Sequence, residues 1–192
     1  MLKKEETSSD SRAAHALTVL READRLFTAE EVATAYDRLA MEIGTELKGC
    51  NPLVLCVMIG GMVPTVEILR RMEYPYELDY LHATRYRGET SGRDIVWKVS
   101  PSTKLEGRTV LVIDDILDEG HTLAAIQNAL RAQDVRTLYT AVLVEKQHNR
   151  RNPDTQADFI GLSVPDRYVF GGGMDYKNYL RFAPGIYAVK GL

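Results

Sequence analysis

The chain has little of what marks membrane-spanning, secreted or disulfide-rich proteins. Its 192 residues include only two cysteines, Cys50 and Cys56, too few and wrongly spaced for a disulfide framework or a zinc site. No stretch approaches the roughly 20 apolar residues that cross a bilayer, so we expect no membrane partner. The first dozen residues, MLKKEETSSDSR, lack the apolar core of a signal peptide. We therefore expect a cytoplasmic protein.

The chain also has little excess charge of either sign. Its 24 Lys and Arg residues against 27 Asp and Glu give a net charge of −3, with the histidines neutral. This balance provides no overall basic field, so we expect no nucleic-acid partner. The four histidines are scattered without metal-ligand spacing. With 45% hydrophobic and 27% charged residues, the composition is that of a globular domain with one large core.

The apolar pattern predicts buried strands that alternate with helices. Residues 52–59, PLVLCVMI, are continuously apolar, as is typical of a strand buried on both faces of a sheet. Five further strands are predicted at 76–86, 95–100, 108–114, 137–146 and 158–164, and a last short one at 185–190. A helix is predicted over 122–133. Such alternation predicts an α/β fold, with a mostly parallel central sheet flanked by helices.

The helices before the first strand have local signals of their own. Thr28 and Glu31 form a predicted capping box that starts a helix. That helix has an apolar stripe at three- and four-residue intervals: Val32, Tyr36, Leu39, Ile43 and Leu47. Residues 13–27 also show helical spacing. We expect a partly disordered N-terminal helical extension over 1–28 and a single domain over 29–192.

Carboxylates are clustered where one buried strand is predicted to end, in VLVIDDILDEGHTL, residues 110–123. Like charges in a cluster repel one another and resist burial, so their position needs a reason. Ligands of open α/β sheets bind beyond the carboxyl ends of the strands, and the N-terminus of the following helix attracts anions. The segment thus suits a sugar phosphate. The alternative is that these acids are solvated loop residues near a helix start.

The same segment resembles the phosphoribosyl-pyrophosphate signature of the type I phosphoribosyltransferases. Three more segments narrow the resemblance to the hypoxanthine-guanine phosphoribosyltransferases: IGG at 59–61, LVEK at 143–146 and DFIGLSVPDRYVFGGGMDYKNYLR at 158–181. The similarity covers roughly residues 29–190 in the same order. It implies the type I phosphoribosyltransferase fold, with a small hood subdomain and N-terminal helices beside the central sheet.

The resemblance implies roles for the acidic segment. Asp114 and Asp115 would hold the ribose hydroxyls and Mg²⁺, and Asp118 would be the general acid/base at the purine imidazole nitrogen. The 5′-phosphate would be bound by the segment Asp118, Glu119, Gly120, His121 and Thr122, mainly through its amides; a helix cap is the alternative for Thr122. The family often has Thr at 119 and Lys at 121. Since an ionised Glu cannot donate to phosphate, we expect Glu119 to point to solvent, and His121 could supply part of the missing charge.

The resemblance also implies a region that binds pyrophosphate and a lid that closes over the site. Pyrophosphate would be bound by Ile59, Gly60, Gly61 and Arg181. The family often has a basic residue where Ile59 stands, so the contact there would come from main chain. A tight turn and a surface ion pair are the alternatives for the loop and for Arg181. Residues 83–96, with Arg85 and Tyr86, resemble the family's mobile lid, which excludes water; a flexible hairpin connection is the alternative.

The purine would be bound by Lys146, Tyr168, Val169 and Asp175. Lys146 would donate to the six-position carbonyl and so favour 6-oxopurines over adenine. Tyr168 would stack on the base and Val169 would present backbone groups to its edge, with core packing as the alternative for both. Asp175 corresponds to a carboxylate associated with Mg²⁺.

The implied activity is purine salvage: transfer of the 5-phosphoribosyl group from phosphoribosyl pyrophosphate to hypoxanthine or guanine, with Mg²⁺ as cofactor. A homodimer or homotetramer is expected from the resemblance alone. Two alternatives stay open. One is a regulator with this fold that binds nucleotides or RNA; the other is a salvage enzyme for another base, such as xanthine or a pyrimidine.

Overall fold

The structure, a computed structural model, describes residues 2–85 and 95–192 and contains the predicted alternation of strands and helices. In chain order the elements are α1 (Leu2–Glu22), β1 (Asp24–Phe27), α2 (Ala29–Leu47), β2 (Leu53–Val57), α3 (Met62–Leu69), β3 (Glu77–Arg85), β4 (Ile95–Val99), β5 (Thr109–Leu117), α4 (His121–Arg131), β6 (Thr137–Gln147), β7 (Phe159–Pro165), β8 (Val169–Phe170) and β9 (Ile186–Ala188). In this part of the chain, no helix combines the length and apolar character that crossing a membrane requires.

Six strands form the central sheet, in the order β4-β3-β2-β5-β6-β7. All neighbouring strands are parallel except β3 and β4, which pair antiparallel. At the centre, Leu55 of β2 lies between Asp79 of β3 and Val112 of β5. The prediction of a mostly parallel sheet is therefore confirmed.

Helices cover both faces of this sheet, which explains the uninterrupted apolar runs of its strands. On β2, Val54 packs with the residues of α2 and α3, whereas Leu53 and Leu55 pack with those of α4. Successive strand residues point to opposite faces, so a strand covered on both sides needs an apolar residue at every position. All five residues of β2 are buried.

Helix α2 begins where its sequence predicts and buries the predicted stripe. The Thr28 hydroxyl accepts a hydrogen bond from the Glu31 amide at 3.2 Å, and the Glu31 carboxylate accepts one from the Thr28 amide at 2.8 Å. This reciprocal pair satisfies two amides that the first helical turn leaves without partners. The whole predicted stripe from Val32 to Leu47 is buried. The helix thus anchors one layer of the core.

Strand β5 is longer than predicted, because it continues through the acidic residues. The sequence predicts its end at Asp114, but pairing with β6 carries on to Leu117, which lies opposite Glu145. β6 reaches Gln147 and offers backbone partners over that length. Asp114 and Asp115 are therefore strand residues at the carboxyl end of β5 rather than the first residues of a loop.

A second sheet of three strands, in the order β1-β9-β8, forms the hood together with α1. The sequence predicts a helix over 13–27, but α1 ends at Glu22 and residues 24–27 pair antiparallel with β9. In the hood, Ala16 of α1 packs with Phe170 and Tyr176. The expected fold class, with its hood and N-terminal helices, is confirmed. The division of the chain at residue 28 and partial disorder before it stay predictions.

Candidate active site

The strand order creates a crevice at the carboxyl ends of β2 and β5. After β2 the chain passes through α3 to β3 on one side, and it later returns to β5 on the other side of β2. The direction in which strands are added to the sheet therefore reverses at β2, and ligands of open α/β sheets bind at such a reversal of strand order. A cleft of about 340 Å³ lies there. It is lined by Val57, Met58, Gly60, Ala83, Asp114, Asp115, Ile116, Asp118, Glu119, Gly120, His121, Thr122 and Leu123.

Asp114 and Asp115 bring two carboxylates into this cleft with little solvent around them. Asp115 is 9% exposed, and its amide donates a hydrogen bond to the Asp114 carboxylate at 2.9 Å. Burial, with the adjacent Asp115 carboxylate, raises the pKa of Asp114 well above its ordinary value. Burial also raises the pKa of Asp115, although Arg181 acts against it. The pair would ionise more readily beside a cation or hydroxyl donors.

The predicted pyrophosphate loop packs directly against Asp115. A Cβ atom added at Gly60 would collide with the Asp115 carboxylate, and one at Gly173 would collide with the Gly60 carbonyl. A Cβ at Gly61 would come within 2.6 Å of backbone carbonyls of β2 and β5. Only glycine allows these backbones to approach so closely. Ile59, 48% exposed, lies on the solvent side of the loop.

The start of α4 forms another wall of the cleft. Gly120 is the N-cap residue with a φ of +80°, which glycine adopts without strain. Its carbonyl accepts a hydrogen bond from the Thr155 hydroxyl at 2.9 Å, and the Glu119 carbonyl accepts one from the Asn152 amide at 2.8 Å. The first amides of any α-helix have no partner within the helix. The residues at the start of α4, from His121 to Leu123, line the cleft, and the cap residue is Gly120 rather than Thr122.

Glu119 and His121, which depart from the family pattern in the acidic segment, lie near each other. The Glu119 carboxylate is 3.8 Å from the His121 imidazole and 3.8 Å from the Arg150 guanidinium. The Glu119 side chain is 41% exposed. It thus lies partly in solvent, as expected, but between two groups that can be cationic. Its charge is partly offset before any phosphate approaches.

Asp118 is hydrogen-bonded through both of its carboxylate oxygens. One carboxylate oxygen accepts from the Lys146 ammonium at 2.8 Å, and the other lies 2.8 Å from Nε2 of His148. Burial alone would raise the pKa of Asp118, but the hydrogen bonds from Lys146 and His148 outweigh it and lower that pKa. Asp118 is therefore held ionised at the edge of the cleft.

Sequence reasoning predicted Asp118 and Lys146 but missed His148. His148 follows Lys146 by two positions where β6 ends, and residues two apart on a strand point to the same side. That spacing was the signal available in the sequence. The ligand atoms of Asp118, His148 and Asp166 lie within 4.8 Å of one another. However, Lys146 pairs with Asp118 and Arg150 pairs with Asp166, so cations already neutralise this cluster and it does not need a metal.

Asp175 and Arg181 from the C-terminal block lie on the hood side of the acids. The Asp175 carboxylate accepts from the Arg181 guanidinium at 2.6 Å and from the Asn178 amide at 2.6 Å. Arg181 also donates to the Gly173 carbonyl at 2.8 Å. The Arg181 and Asp175 side chains are 19% and 29% exposed, so the ion pair is half-buried rather than fully on the surface. The Arg181 guanidinium thus pairs with Asp175 and also acts electrostatically on Asp115.

Tyr168 and Val169 lie at the edge of the hood sheet. The Tyr168 side chain is 42% exposed and meets the ring of Tyr176 edge-on at 5.6 Å. The Val169 side chain is buried in the core, which is the alternative that the sequence left open for it. The Tyr168 carbonyl accepts a hydrogen bond from the Val189 amide. In an antiparallel pair, successive residues direct their backbone groups alternately toward and away from the partner strand. The backbone groups of Val169 therefore point to the open edge of β8.

The predicted residues do not all line one cavity. Seven described residues of the predicted site lie outside the cleft lining: Ile59, Gly61, Lys146, Tyr168, Val169, Asp175 and Arg181. Of these, Lys146 is joined to the lining through its hydrogen bond to Asp118. Arg85 is the last residue of β3, two positions after Ala83, which lines the cleft. Tyr86 and residues 87–94 lie outside the described residues. The lid therefore stays a prediction.

Comparisons with known proteins agree with this geometry. The family model described as phosphoribosyl transferase domain matches residues 22–178. The hypoxanthine-guanine-xanthine phosphoribosyltransferase of Tritrichomonas foetus is 28% identical over 165 residues, 86% of this chain and 90% of that protein. The hypoxanthine-guanine phosphoribosyltransferase of Bacillus subtilis is 29% identical over 166 residues, 86% of this chain and 92% of that protein.

A solved structure extends the similarity to the arrangement of the elements. The hypoxanthine phosphoribosyltransferase of Staphylococcus aureus superimposes with a TM-score of 0.84 and 25% identity, covering 90% of this chain and 95% of that one. The type I phosphoribosyltransferase fold implied by the sequence is thus confirmed. The crevice at the reversal of strand order contains the acids Asp114 and Asp115 and the N-terminus of α4. With this site and the match to the family model, the chain belongs to the phosphoribosyl transferase domain family.

Proposed function

We propose that the chain transfers the 5-phosphoribosyl group from phosphoribosyl pyrophosphate to hypoxanthine or guanine, giving inosine or guanosine monophosphate and pyrophosphate. The observation that carries the proposal is the contact of Asp118 with Lys146 at the edge of the cleft that contains the acid pair. Asp118, as the acid/base group, and Lys146, as the ammonium that selects the purine, would then lie side by side next to the bound sugar phosphate. The names of the relatives from Bacillus subtilis and Tritrichomonas foetus support the same activity.

The sugar and its phosphate would occupy the two walls of the cleft. Asp114 and Asp115 would accept hydrogen bonds from the ribose hydroxyls, which is a favourable use of buried carboxylates. The amides at the start of α4 would bind the 5′-phosphate, favoured by the helix dipole. Ile59, Gly60 and Gly61 would contact pyrophosphate through main chain, with Arg181 beside them.

The purine would lie next to Lys146. Its six-position carbonyl would accept from the Lys146 ammonium, whereas adenine presents an amino donor there and would leave that ammonium unpaired. Tyr168 provides an exposed ring on which a base would stack, and Val169 turns backbone groups to the open sheet edge. Asp118 would take the proton from the imidazole nitrogen as that nitrogen attacks the sugar, and return it in the reverse direction.

Mg²⁺ fits the donor set on physical grounds. Asp114 and Asp115 bring two carboxylates into the cleft, where the pKa of each is raised, and Asp175, which is paired with Arg181, would add another. Mg²⁺ prefers such oxygen ligands together with phosphate oxygens and water. These three residues would hold the ion, and when bound it would neutralise charge on the pyrophosphate leaving group.

One assay tests the proposal. The protein is mixed with Mg²⁺, phosphoribosyl pyrophosphate and, in turn, hypoxanthine, guanine, xanthine or adenine, and nucleotide formation is followed by ultraviolet absorbance. Nucleotide from hypoxanthine or guanine, with adenine far poorer, supports the proposal. Xanthine as the best substrate would identify a different salvage enzyme, a candidate favoured by the name of the Tritrichomonas foetus protein. No nucleotide with any base would favour a regulator that kept the fold.

The proposal extends to assembly and location by resemblance. We propose a homodimer or homotetramer in the cytoplasm. Sedimentation equilibrium tests the first part, because a monomer at micromolar concentration would contradict it. Fractionation of the source cells tests the second, since recovery with the membranes or outside the cell would contradict a cytoplasmic location.

A further inference from the structure

We infer that His148 is a positioning residue for Asp118, holding one carboxylate oxygen in place so that the other can exchange a proton with the purine. This inference rests on the proposed function, because it needs Asp118 as the acid/base group. Neither the sequence pattern nor the proposed reaction assigns any role to His148.

The contacts of the imidazole ring fix which nitrogen carries the proton. The Arg150 amide donates a hydrogen bond to Nδ1 of His148 at 3.1 Å. A nitrogen that accepts a hydrogen bond carries no proton, so in the neutral ring the proton is on Nε2. Nε2 lies 2.8 Å from Oδ1 of Asp118. His148 is therefore a donor to Asp118, oriented by the backbone of the following turn.

Burial makes His148 the fixed partner and Asp118 the reactive one. The His148 side chain is 3% exposed, whereas that of Asp118 is 41% exposed. A buried ring has few alternative positions, so its N–H points in one direction. An exposed carboxylate, in contrast, rotates freely unless something holds it. The pair thus combines a rigid support with an acid that substrate can reach.

Lys146 cannot serve as this support throughout the reaction. It holds Oδ2 of Asp118 at 2.8 Å in the free protein. In the proposed reaction the purine carbonyl takes over that ammonium, which leaves Oδ2 open to the imidazole nitrogen of the base. The bond from His148 to Oδ1 is the one that remains. It would keep the free oxygen aimed at the purine and favour the ionised carboxylate until the proton transfers.

Other roles for His148 fit its surroundings less well. A general base needs a free lone pair, but Nδ1 accepts from Arg150 and Nε2 carries the proton. The groups that face Asp118 are Lys146, His148, the Arg150–Asp166 pair and the adjacent Glu119. Among them, only Lys146 and His148 are hydrogen-bonded to Asp118 in the described part of the chain.

The first experiment compares turnover in variants of position 148. His148→Leu removes the donor, His148→Gln restores an N–H at a similar reach, and Gln147→Leu is the control on the adjacent, exposed position. For His148→Leu we expect kcat to fall about tenfold, with KM for phosphoribosyl pyrophosphate within about twofold of wild type. The acid limb of the kcat profile should move to higher pH, because an unsupported carboxylate protonates more readily. His148→Gln should recover most of kcat, and Gln147→Leu should match wild type.

Two results would overturn the inference. One is a His148→Leu enzyme with wild-type kcat and an unmoved acid limb. The other is a His148→Gln enzyme as impaired as His148→Leu, which would mean that only the packing of the ring matters. His148→Asn is made in parallel, since it is polar but too short to reach Asp118. It should behave like His148→Leu, so the inference stays testable if the leucine variant does not fold.

A second measurement does not depend on activity. Carbon-detected NMR follows the Asp118 carboxylate of the purine-free protein as pH is lowered, in wild type and in His148→Leu. We expect the pKa of Asp118 to rise by roughly one unit in the variant, as loss of one hydrogen bond to a charged group implies. An unchanged pKa would refute the inference. A wild-type protein that makes no nucleotide would instead refute the proposed function, and this titration would still test the contact.

Discussion

Replacing Asp118 with alanine should abolish most of the turnover while leaving phosphoribosyl pyrophosphate binding nearly intact. The carboxylate is the group that would exchange a proton with the purine. Proton transfer by a positioned side chain contributes about 10²–10⁴-fold to a rate, so kcat of Asp118→Ala should fall by about that factor.

The structure explains why binding should survive. The Asp118 side chain contacts Lys146 and His148, on the purine side, whereas the 5′-phosphate is expected on the amides at the start of α4. Alanine keeps those amides. It does leave the Lys146 ammonium, only 14% exposed, without its partner, which should cost about 1 kcal/mol of stability. A modest loss of stability with a large loss of rate is the expected combination.

Two assays separate these effects. Initial rates with hypoxanthine give kcat, and calorimetric titration with phosphoribosyl pyrophosphate and Mg²⁺ gives the dissociation constant, which should change less than about threefold. Asp118→Asn keeps the shape of the side chain but cannot act as the base, so it should lose a similar factor in kcat. Asp166→Ala removes a neighbouring carboxylate that is paired with Arg150 and should stay close to wild type. Equal losses of rate and affinity in Asp118→Ala would refute the acid/base role.

Three further changes test other parts of the account. Lys146→Ala should lower the preference for hypoxanthine over adenine in kcat/KM by about 100-fold; unchanged selectivity would remove Lys146 from the purine site. Gly61→Ala should destabilise the protein by at least about 2 kcal/mol in urea unfolding, because its Cβ would meet two backbone carbonyls at 2.6 Å; wild-type stability would show that the loop can shift. Asp79 is a buried carboxylate. Burial alone would raise its pKa, but hydrogen bonds from Tyr80, Ser102 and Thr103 lower that pKa to about 2. A carboxylate with a lowered pKa stabilises the fold above about pH 4, and this stabilisation is lost as the pH falls toward 2. Asp79→Asn should therefore lower the free energy of unfolding by about 2 kcal/mol at pH 7 and by little at pH 2. A loss of stability that does not depend on pH would contradict this lowered pKa.

The central sheet and α2 could be predicted because their signals are local. The capping box of Thr28 and Glu31 and the apolar runs of β2 and β5 each fix one element through residues close in sequence. The mostly parallel pairing of the strands followed from their alternation with helices, whereas the order of the strands in the sheet did not. The acid segment was recognisable for the same reason, since strand, acids and helix start are contiguous.

The errors all depend on partners distant in sequence. Residues 24–27 have helical spacing, but β9, about 160 residues later, provides a strand partner that local pattern does not show. β5 extends past Asp114 because β6 is long enough to pair with it. His148 becomes meaningful only when β6 sets it beside Asp118, which is 30 positions earlier. Long-range pairing thus decided what sequence reasoning missed.

The departures Glu119 and His121 also gain a physical explanation from their neighbours. The sequence suggested that an acid near the 5′-phosphate would repel it. In the fold, Glu119 lies 3.8 Å from both His121 and Arg150, and its side chain is partly exposed. Its field is therefore weakened by the nearby Arg150 guanidinium and by solvent, which reduces the repulsion that the proposed phosphate would meet.

The most direct test of the central claim is a structure of the complex with Mg²⁺, phosphoribosyl pyrophosphate and an unreactive 6-oxopurine analogue. We expect the pentose hydroxyls on Asp114 and Asp115, the 5′-phosphate on the amides at the start of α4, and the Lys146 ammonium moved from Asp118 to the purine carbonyl. A sugar phosphate bound elsewhere, or a purine that leaves the bond from Lys146 to Asp118 unbroken, would contradict it.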